Sequence, residues 1–249
     1  MGVLDGRVAI VSGASAGIGR SCALRYAEEG AFVIACARRL HRLEELVGEI
    51  AARGGRAIPV QCDVGKPEDI QRVVDVAAKE GGRIDILANI AQGAMEDHVF
   101  LEDMTPEGAI AAYDTGPVQS FRFMKACLPY MREQHFGRII NFGSHAAYGG
   151  TPGFSAYAIA KAAMIPLTKL AAREWAPFGI TTNVILPIML NEASEMTPQG
   201  REGFARLAAT NPTGRIGSPY EDCAPVLVFL ATEGAGYLNG QVIHLDGGK

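Results

Sequence analysis

The stretch SAYAIAKAAM, residues 155–164, sets a phenol and an ammonium four residues apart among small side chains, at Tyr157 and Lys161. On a helix that spacing puts both on one face, one turn apart. One reading is a solvated helix face with a chance pair. The other is a tuned acid, in which the positive charge favours phenolate and lowers the tyrosine pKa from about 10. The scale suffices: unit charges about 4 Å apart at an effective dielectric of about 20 interact by about 4 kcal/mol, against about 1.4 kcal/mol per pKa unit. A Y-x-x-x-K pair alone also arises by chance, so its context decides.

A second cluster stands nearer the N-terminus. SGASAGIGR carries Gly13, Gly17 and Gly19 as G-x-x-x-G-x-G, after the apolar run RVAIVS and at the start of GIGRSCALRYAEEG. Between a strand and a helix, such glycines let the backbone approach a pyrophosphate, and the helix N-terminus offers N–H groups and positive dipole. A glycine turn needed only for packing is the alternative. The place after the first strand of an α/β chain favours cofactor binding. No G-K-[ST] follows, which excludes a P-loop.

These residues need elements to hold them. RVAIVS, FVIACA, AIPVQC, IDILANI, RIINFG, TTNVIL and QVIHL read as buried strands. Helical stretches lie between them. In LHRLEELVGEIAARGG, Leu43, Leu46, Val47 and Ile50 fall at i, i+3, i+4 and i+7, with glycines just past the end. Further helices are expected over 67–82, around 117–132, as one long helix over 154–176, and near 219–232. Nearly continuous apolar strands alternating with helices imply a parallel sheet covered on both faces. The expectation is one doubly wound α/β domain over residues 1–249 with about seven strands. Residues 188–217 break the rhythm at the carboxyl edge of the sixth strand, where such sheets bind ligands, and read as a substrate loop or lid.

The totals agree. The 249 residues fit one such domain, and 48% hydrophobic residues can fill its core. A net charge of −4 without a basic block argues against nucleic acid as a partner. The five cysteines are odd in number and form no C-x-x-C. Neither zinc nor a redox motif is suggested, and buried free thiols in a reducing compartment are expected. The first apolar run is too short for a signal-peptide core and no stretch approaches a membrane span. Gly6 stands where a myristoylation motif needs Ser or Thr. A soluble cytoplasmic protein, with no membrane partner, is expected.

Over nearly its whole length the chain resembles the short-chain dehydrogenase/reductase family, in particular its 3-oxoacyl-carrier-protein reductase-like members. The glycine motif and Y-x-x-x-K carry the resemblance with CDV at 62–64, ANIA at 88–91, Ser144 placed 13 residues before Tyr157, and GQVIHLDGG at 240–248. It implies a Rossmann domain with strand order 3-2-1-4-5-6-7. Tyr157 would be the general acid for carbonyl reduction and the base for alcohol oxidation. Ser144 would hydrogen-bond the carbonyl oxygen, and Lys161 would hold the nicotinamide ribose and lower the tyrosine pKa. The cofactor would lie on Gly13, Ser15, Gly17, Ile18, Gly19, Arg38, Asp63, Val64, Asn89, Ala91, Pro187 and Ile188, besides Tyr157 and Lys161. No metal is required, the substrate is a small-molecule carbonyl or alcohol, and a homo-oligomer, a dimer of dimers, is implied.

Some positions depart from the family pattern. Ile90 and Gln92 alter its N-N-A-G, Ile188 replaces a glycine, and Glu192 stands where a threonine often contacts the carboxamide. An NAD(P)H-dependent oxidoreductase, with 92–100 and 188–217 lining its pocket, and a cofactor-binding regulatory or scaffold protein on the same fold are both open readings. The intact Ser144, Tyr157 and Lys161 favour the enzyme. Where an NAD site usually ends strand two with an acidic residue, this chain has Ala37, then Arg38 and Arg39. Guanidinium groups suit a 2′-phosphate, so NADP is expected. NAD is the alternative, because Ala16 lacks the basic residue many NADP-preferring relatives carry nearby. The family's helix-four asparagine falls on Gly116 in AAYDTGPVQS, with Asp114 or Thr115 as alternative counterparts. Pro117 would interrupt the helix there. The bare Gly116 would leave room for water or substrate, its carbonyl would serve the proton relay, and Gly116→Asn would be tolerated.

Overall fold

In the computed structural model, which describes residues 2–93, 99–190 and 198–249, the first strand shows how the fold is built. β1 (Val8–Ser12) is five buried residues in a row; Ala9 and Val11 join one core, Val8 and Ile10 the other. A strand that is apolar on both faces needs cover on both. It lies inside a sheet of seven strands with β2 (Phe32–Ala37), β3 (Arg56–Gln61), β4 (Ile86–Asn89), β5 (Gly137–Phe142), β6 (Ile180–Pro187) and β7 (Val242–Leu245). All pairings are parallel and the order is β3-β2-β1-β4-β5-β6-β7, as expected for a Rossmann domain.

The helices follow as α1 (Gly17–Glu28), α2 (Leu40–Ala52), α3 (Pro67–Gly81), α4 (Pro106–Tyr113), α5 (Gln119–Glu133), α6 (His145–Gly149), α7 (Ser155–Ala162), α8 (Met164–Trp175), α9 (Pro198–Thr210) and α10 (Ala224–Ala231). α1, α2 and α10 cover one face through Leu24, Leu43, Leu46, Ile50 and Leu227. α3, α5 and α8 cover the other through Val73, Val74, Phe123, Met131 and Ala171. Each fully buried aliphatic or phenylalanine side chain contributes about 1.5–3 kcal/mol. From β1 the chain winds outward to β3, then crosses back to β4 on the other side of β1. That reversal opens a crevice beyond the carboxyl ends of β1 and β4.

Prolines account for where helices differ from expectation. The long helix expected over 154–176 is two, α7 and α8, divided at Ala163. Pro166 lacks the N–H that would bond the Ala162 carbonyl. Before α5, Asp114–Val118 forms a π turn around Pro117, whose missing N–H shifts the ladder so that the Gln119 N–H reaches the Asp114 carbonyl. Pro219–Cys223 is a second π turn, leading into α10. The 188–217 segment contains α9, and its ends are tied where the Leu190 N–H donates to the Gly217 carbonyl at 2.9 Å. Glu192, and part of the 92–100 stretch, lie outside the described residues.

All five cysteines are buried and unpaired. Among the described residues no helix is long and apolar enough to cross a membrane, and no group of three or more His, Cys, Asp or Glu side chains could hold a metal ion.

Candidate active site

The crevice is floored by a tight turn. Gly13 takes φ +72°, open to glycine but strained for other residues, and a Cβ there would lie 3.0 Å from the Ala91 nitrogen. A Cβ on Gly19 would stand 2.2 Å from the Gly13 carbonyl oxygen. No side chain caps α1 at Ala16, so its leading N–H groups are left for an anion. Ser12 holds the two sides of the crevice together. Its hydroxyl donates to the Ala88 carbonyl at 3.2 Å and accepts the N–H groups of Ile90 at 3.0 Å and Ala91 at 3.1 Å.

From this turn a cavity of about 760 Å³ runs both ways, to Ala37, Arg38, Arg39 and Cys62–Gly65 at one end and to Tyr157, Pro187, Met189 and Leu190 at the other. Its length and its glycine cradle fit a dinucleotide. At the far end Arg39 folds back over the turn, its guanidinium donating to the Ser15 hydroxyl at 3.0 Å, while Arg38 is exposed. Asp63 is fixed on both sides: its N–H donates to the Asp69 carboxylate at 2.8 Å and its own carboxylate accepts the Gly65 N–H at 3.1 Å. That backbone N–H, with Arg72, holds the Asp69 carboxyl below its ordinary range.

At the other end three side chains meet. Ser144 caps α6, its hydroxyl oxygen accepting the Ala146 N–H at 3.1 Å. The hydroxyl proton is thereby turned away from the helix, toward Tyr157, with which Ser144 interacts. Lys161 is 4% exposed and donates one N–H to the Phe142 carbonyl at 3.0 Å. Its ammonium lies 5.9 Å from the Tyr157 ring centre. Burial lowers the Lys161 pKa to about 8. Burial also raises the Tyr157 pKa, against a smaller lowering by Ser144. This corrects the expectation that Lys161 makes the tyrosine more acidic. The ammonium is turned to a backbone carbonyl, and desolvation of the phenolate outweighs its field.

Of the expected cofactor residues, Gly13, Ser15, Ile18, Gly19, Arg38, Asp63, Val64, Ala91, Tyr157 and Pro187 line the cavity. Gly17 sits at the head of α1 between two lining residues. Asn89 stands behind the wall, donating to the Asn141 side chain at 2.9 Å across β4 and β5. Ile188 is a correction: its N–H is spent on the Leu245 carbonyl at 3.0 Å, and Met189 and Leu190 line the cavity in its place. Gln92, Gly93 and Thr115 also line it. Gln92 had drawn notice only as a departure. Gly116 is the second correction. The room above it is filled by Gln92, whose amide oxygen would lie 2.8 Å from a Cβ at 116. Its carbonyl already accepts the Ser120 hydroxyl at 2.9 Å and the Gln119 N–H.

Comparison with known proteins matches residues 13–249 to the family described as Enoyl-(Acyl carrier protein) reductase. The chain is 38% identical to the short-chain reductase protein NovJ of Streptomyces niveus, over 97% of this chain and 93% of that one. It is 35% identical to the 3-oxoacyl-[acyl-carrier-protein] reductase FabG of Thermotoga maritima, over 98% of each. Among solved structures, a 7 alpha-hydroxysteroid dehydrogenase complexed with NADH and 7-oxo glycochenodeoxycholic acid superposes with a TM-score of 0.91 at 30% identity, over 98% of this chain and 94% of that one.

Proposed function

The chain belongs to the short-chain dehydrogenase/reductase family and is an NAD(P)-dependent oxidoreductase, and from this premise we propose that it interconverts a small-molecule carbonyl and a secondary alcohol with Tyr157 as general acid and base. One observation carries the reading: Tyr157 lines the cavity with its phenol pKa raised by burial, beside the Ser144 hydroxyl and the buried Lys161 ammonium.

A bound nicotinamide dinucleotide supplies or accepts the hydride. The Gly13–Gly19 turn and the head of α1 would hold its pyrophosphate, Asp63 and Val64 its adenine end, and the unspent N–H groups of Lys161 its ribose. Arg38 and Arg39 at the end of β2, with no carboxylate beside them in the wall, support NADP over NAD. During reduction the carbonyl oxygen gains charge. Ser144 donates a hydrogen bond to it, and Tyr157 hands over the proton that burial has kept on the phenol. Oxidation needs the phenolate, so it is the direction this site favours less at neutral pH.

A regulator or scaffold on the same fold has no use for a buried lysine. Burying that ammonium with one acceptor is a cost to folding, which supports an enzyme. A soluble cytoplasmic homo-oligomer completes the proposal; Ile110 of α4 and Ile159 of α7, helices that pack together, are 68% and 51% exposed and offer apolar surface for a second copy. A panel of ketones, β-ketoacyl thioesters and secondary alcohols, read by absorbance of the reduced nicotinamide with NADPH and NADH, tests the reading. Cofactor binding without turnover on any member would leave the regulator in its place.

A further inference from the structure

Three buried amide oxygens without a hydrogen-bond partner, those of Asn89, Gln92 and Gln119, belong to two short stretches that face each other across the end of β4. Their NH₂ groups are all anchored. Asn89 donates to the Asn141 side chain at 2.9 Å, Gln119 to the Ala91 carbonyl at 3.1 Å and the Ser120 hydroxyl at 2.8 Å, and Gln92 to the Ala112 carbonyl at 3.2 Å. These anchors set which end of each amide is oxygen. An unsatisfied buried acceptor is costly, and several together call for a small donor such as water.

Gln92 is the one of the three that lines the cavity shared with Tyr157. It reaches over Gly116, where a Cβ would lie 2.8 Å from its oxygen and 3.3 Å from its nitrogen. Next to it, a Cβ on Gly93 would lie 2.7 Å from the Thr115 Cβ, so the loop after β4 is pressed onto the π turn. The π turn in turn packs against α7, which carries Tyr157 and Lys161. The Gly116 carbonyl cannot serve as an additional acceptor, because the Ser120 hydroxyl and the Gln119 N–H already occupy it. Lys161 spends one N–H on Phe142, and a lysine has three.

We propose that Gln92 is a positioning residue for the Tyr157–Lys161 pair: its amide oxygen, laid over Gly116, is the acceptor that holds a buried water serving the Lys161 ammonium. Gly116 is glycine because the Gln92 amide needs its space. The two positions form a matched pair, one supplying the carboxamide and the other the room. The catalytic part of this inference rests on the proposed oxidoreductase function; the pairing of Gln92 with Gly116 does not.

Gln92→Met, Gly116→Asn, Gln92→Gly and the double variant Gln92→Gly/Gly116→Asn test it. Thermal denaturation of the unliganded proteins reads the pair. Gly116→Asn should lower the midpoint clearly when Gln92 is present and much less in the Gln92→Gly background; equal losses in both would overturn the pairing. Steady-state kinetics read the positioning role. Gln92→Met keeps the bulk and loses the acceptor, so kcat should fall about tenfold, the scale of one hydrogen bond, with the cofactor KM unchanged. The double variant, which returns a carboxamide from position 116, should recover turnover relative to Gln92→Gly. An unchanged kcat in Gln92→Met would overturn the role. A wild-type protein without turnover would instead remove the functional premise, and the denaturation data would still decide the pair.

Discussion

Replacing Lys161 by Met should make the unliganded protein's stability respond differently to pH, by an amount the site sets. An unfolded lysine titrates near about 10.4, and Lys161 in the fold at about 8. Between those values the unfolded chain binds more protons than the folded one, so stability rises with pH across that window. The group's contribution is fully present above the unfolded pKa and lost as pH falls through the folded one. The charged lysine therefore costs about 3 kcal/mol at pH 7, and about 1.3 kcal/mol remains at pH 9.5. Met at 161 cannot ionise, so wild type should gain about 2 kcal/mol on the variant over that range, or about 4–8 °C in the gap between midpoints. The Phe142 carbonyl loses its donor in the variant, but that loss does not vary with pH and drops out of the comparison. Urea or thermal denaturation of both proteins at pH 7 and 9.5 reads the quantity directly. Stability curves that run parallel across this range would refute the buried-ammonium reasoning.

The arginines at the end of β2 should separate the cofactors. Arg38→Ala or Arg39→Ala should lower kcat/KM with NADPH about tenfold to a hundredfold, the scale of a charge-assisted hydrogen bond, and leave NADH nearly unchanged; a clear NADH preference that ignores both variants contradicts it. Ser144→Ala should lower kcat about a hundredfold to a thousandfold through the lost donor to the carbonyl oxygen, with a further loss of about 1 kcal/mol in stability from the uncapped α6. Gly19→Ala forces a Cβ against the Gly13 carbonyl and should destabilise by about 1–3 kcal/mol while weakening dinucleotide binding, measured by denaturant midpoint and fluorescence titration. Because burial raises the Tyr157 pKa, ketone reduction should hold a plateau through neutral pH and decline only in alkali, while alcohol oxidation should rise with pH.

The strands and the sheet order were legible because each core strand is an unbroken apolar run, as Val8–Ser12 shows, and because helices separate them. The glycine turn was legible for a similar local reason: Gly13 and Gly19 answer to contacts within their own loop and its neighbour. What failed depends on the third dimension. Periodicity over 154–176 does not register that Pro166 deletes one backbone bond and splits the helix. The direction of the Tyr157 pKa depends on how much water the fold removes, and the spacing to Lys161 is silent on that. Gly116 and Gln92 are 24 positions apart in the numbering, so each looked like a separate departure until the fold laid one on the other. Ile188 was misplaced because the sheet edge takes its N–H for Leu245, a demand set by β7 rather than by the local motif.

The central claim is that the Tyr157 proton completes the reduction. The direct measurement is turnover and dinucleotide affinity of Tyr157→Phe beside wild type, on whichever carbonyl substrate consumes reduced nicotinamide. Phenylalanine keeps the ring against the cavity and removes only the hydroxyl. The account predicts a loss of about a hundredfold to ten-thousandfold in kcat, the range of general acid catalysis, with dinucleotide affinity essentially retained. Turnover in Tyr157→Phe equal to wild type would contradict it.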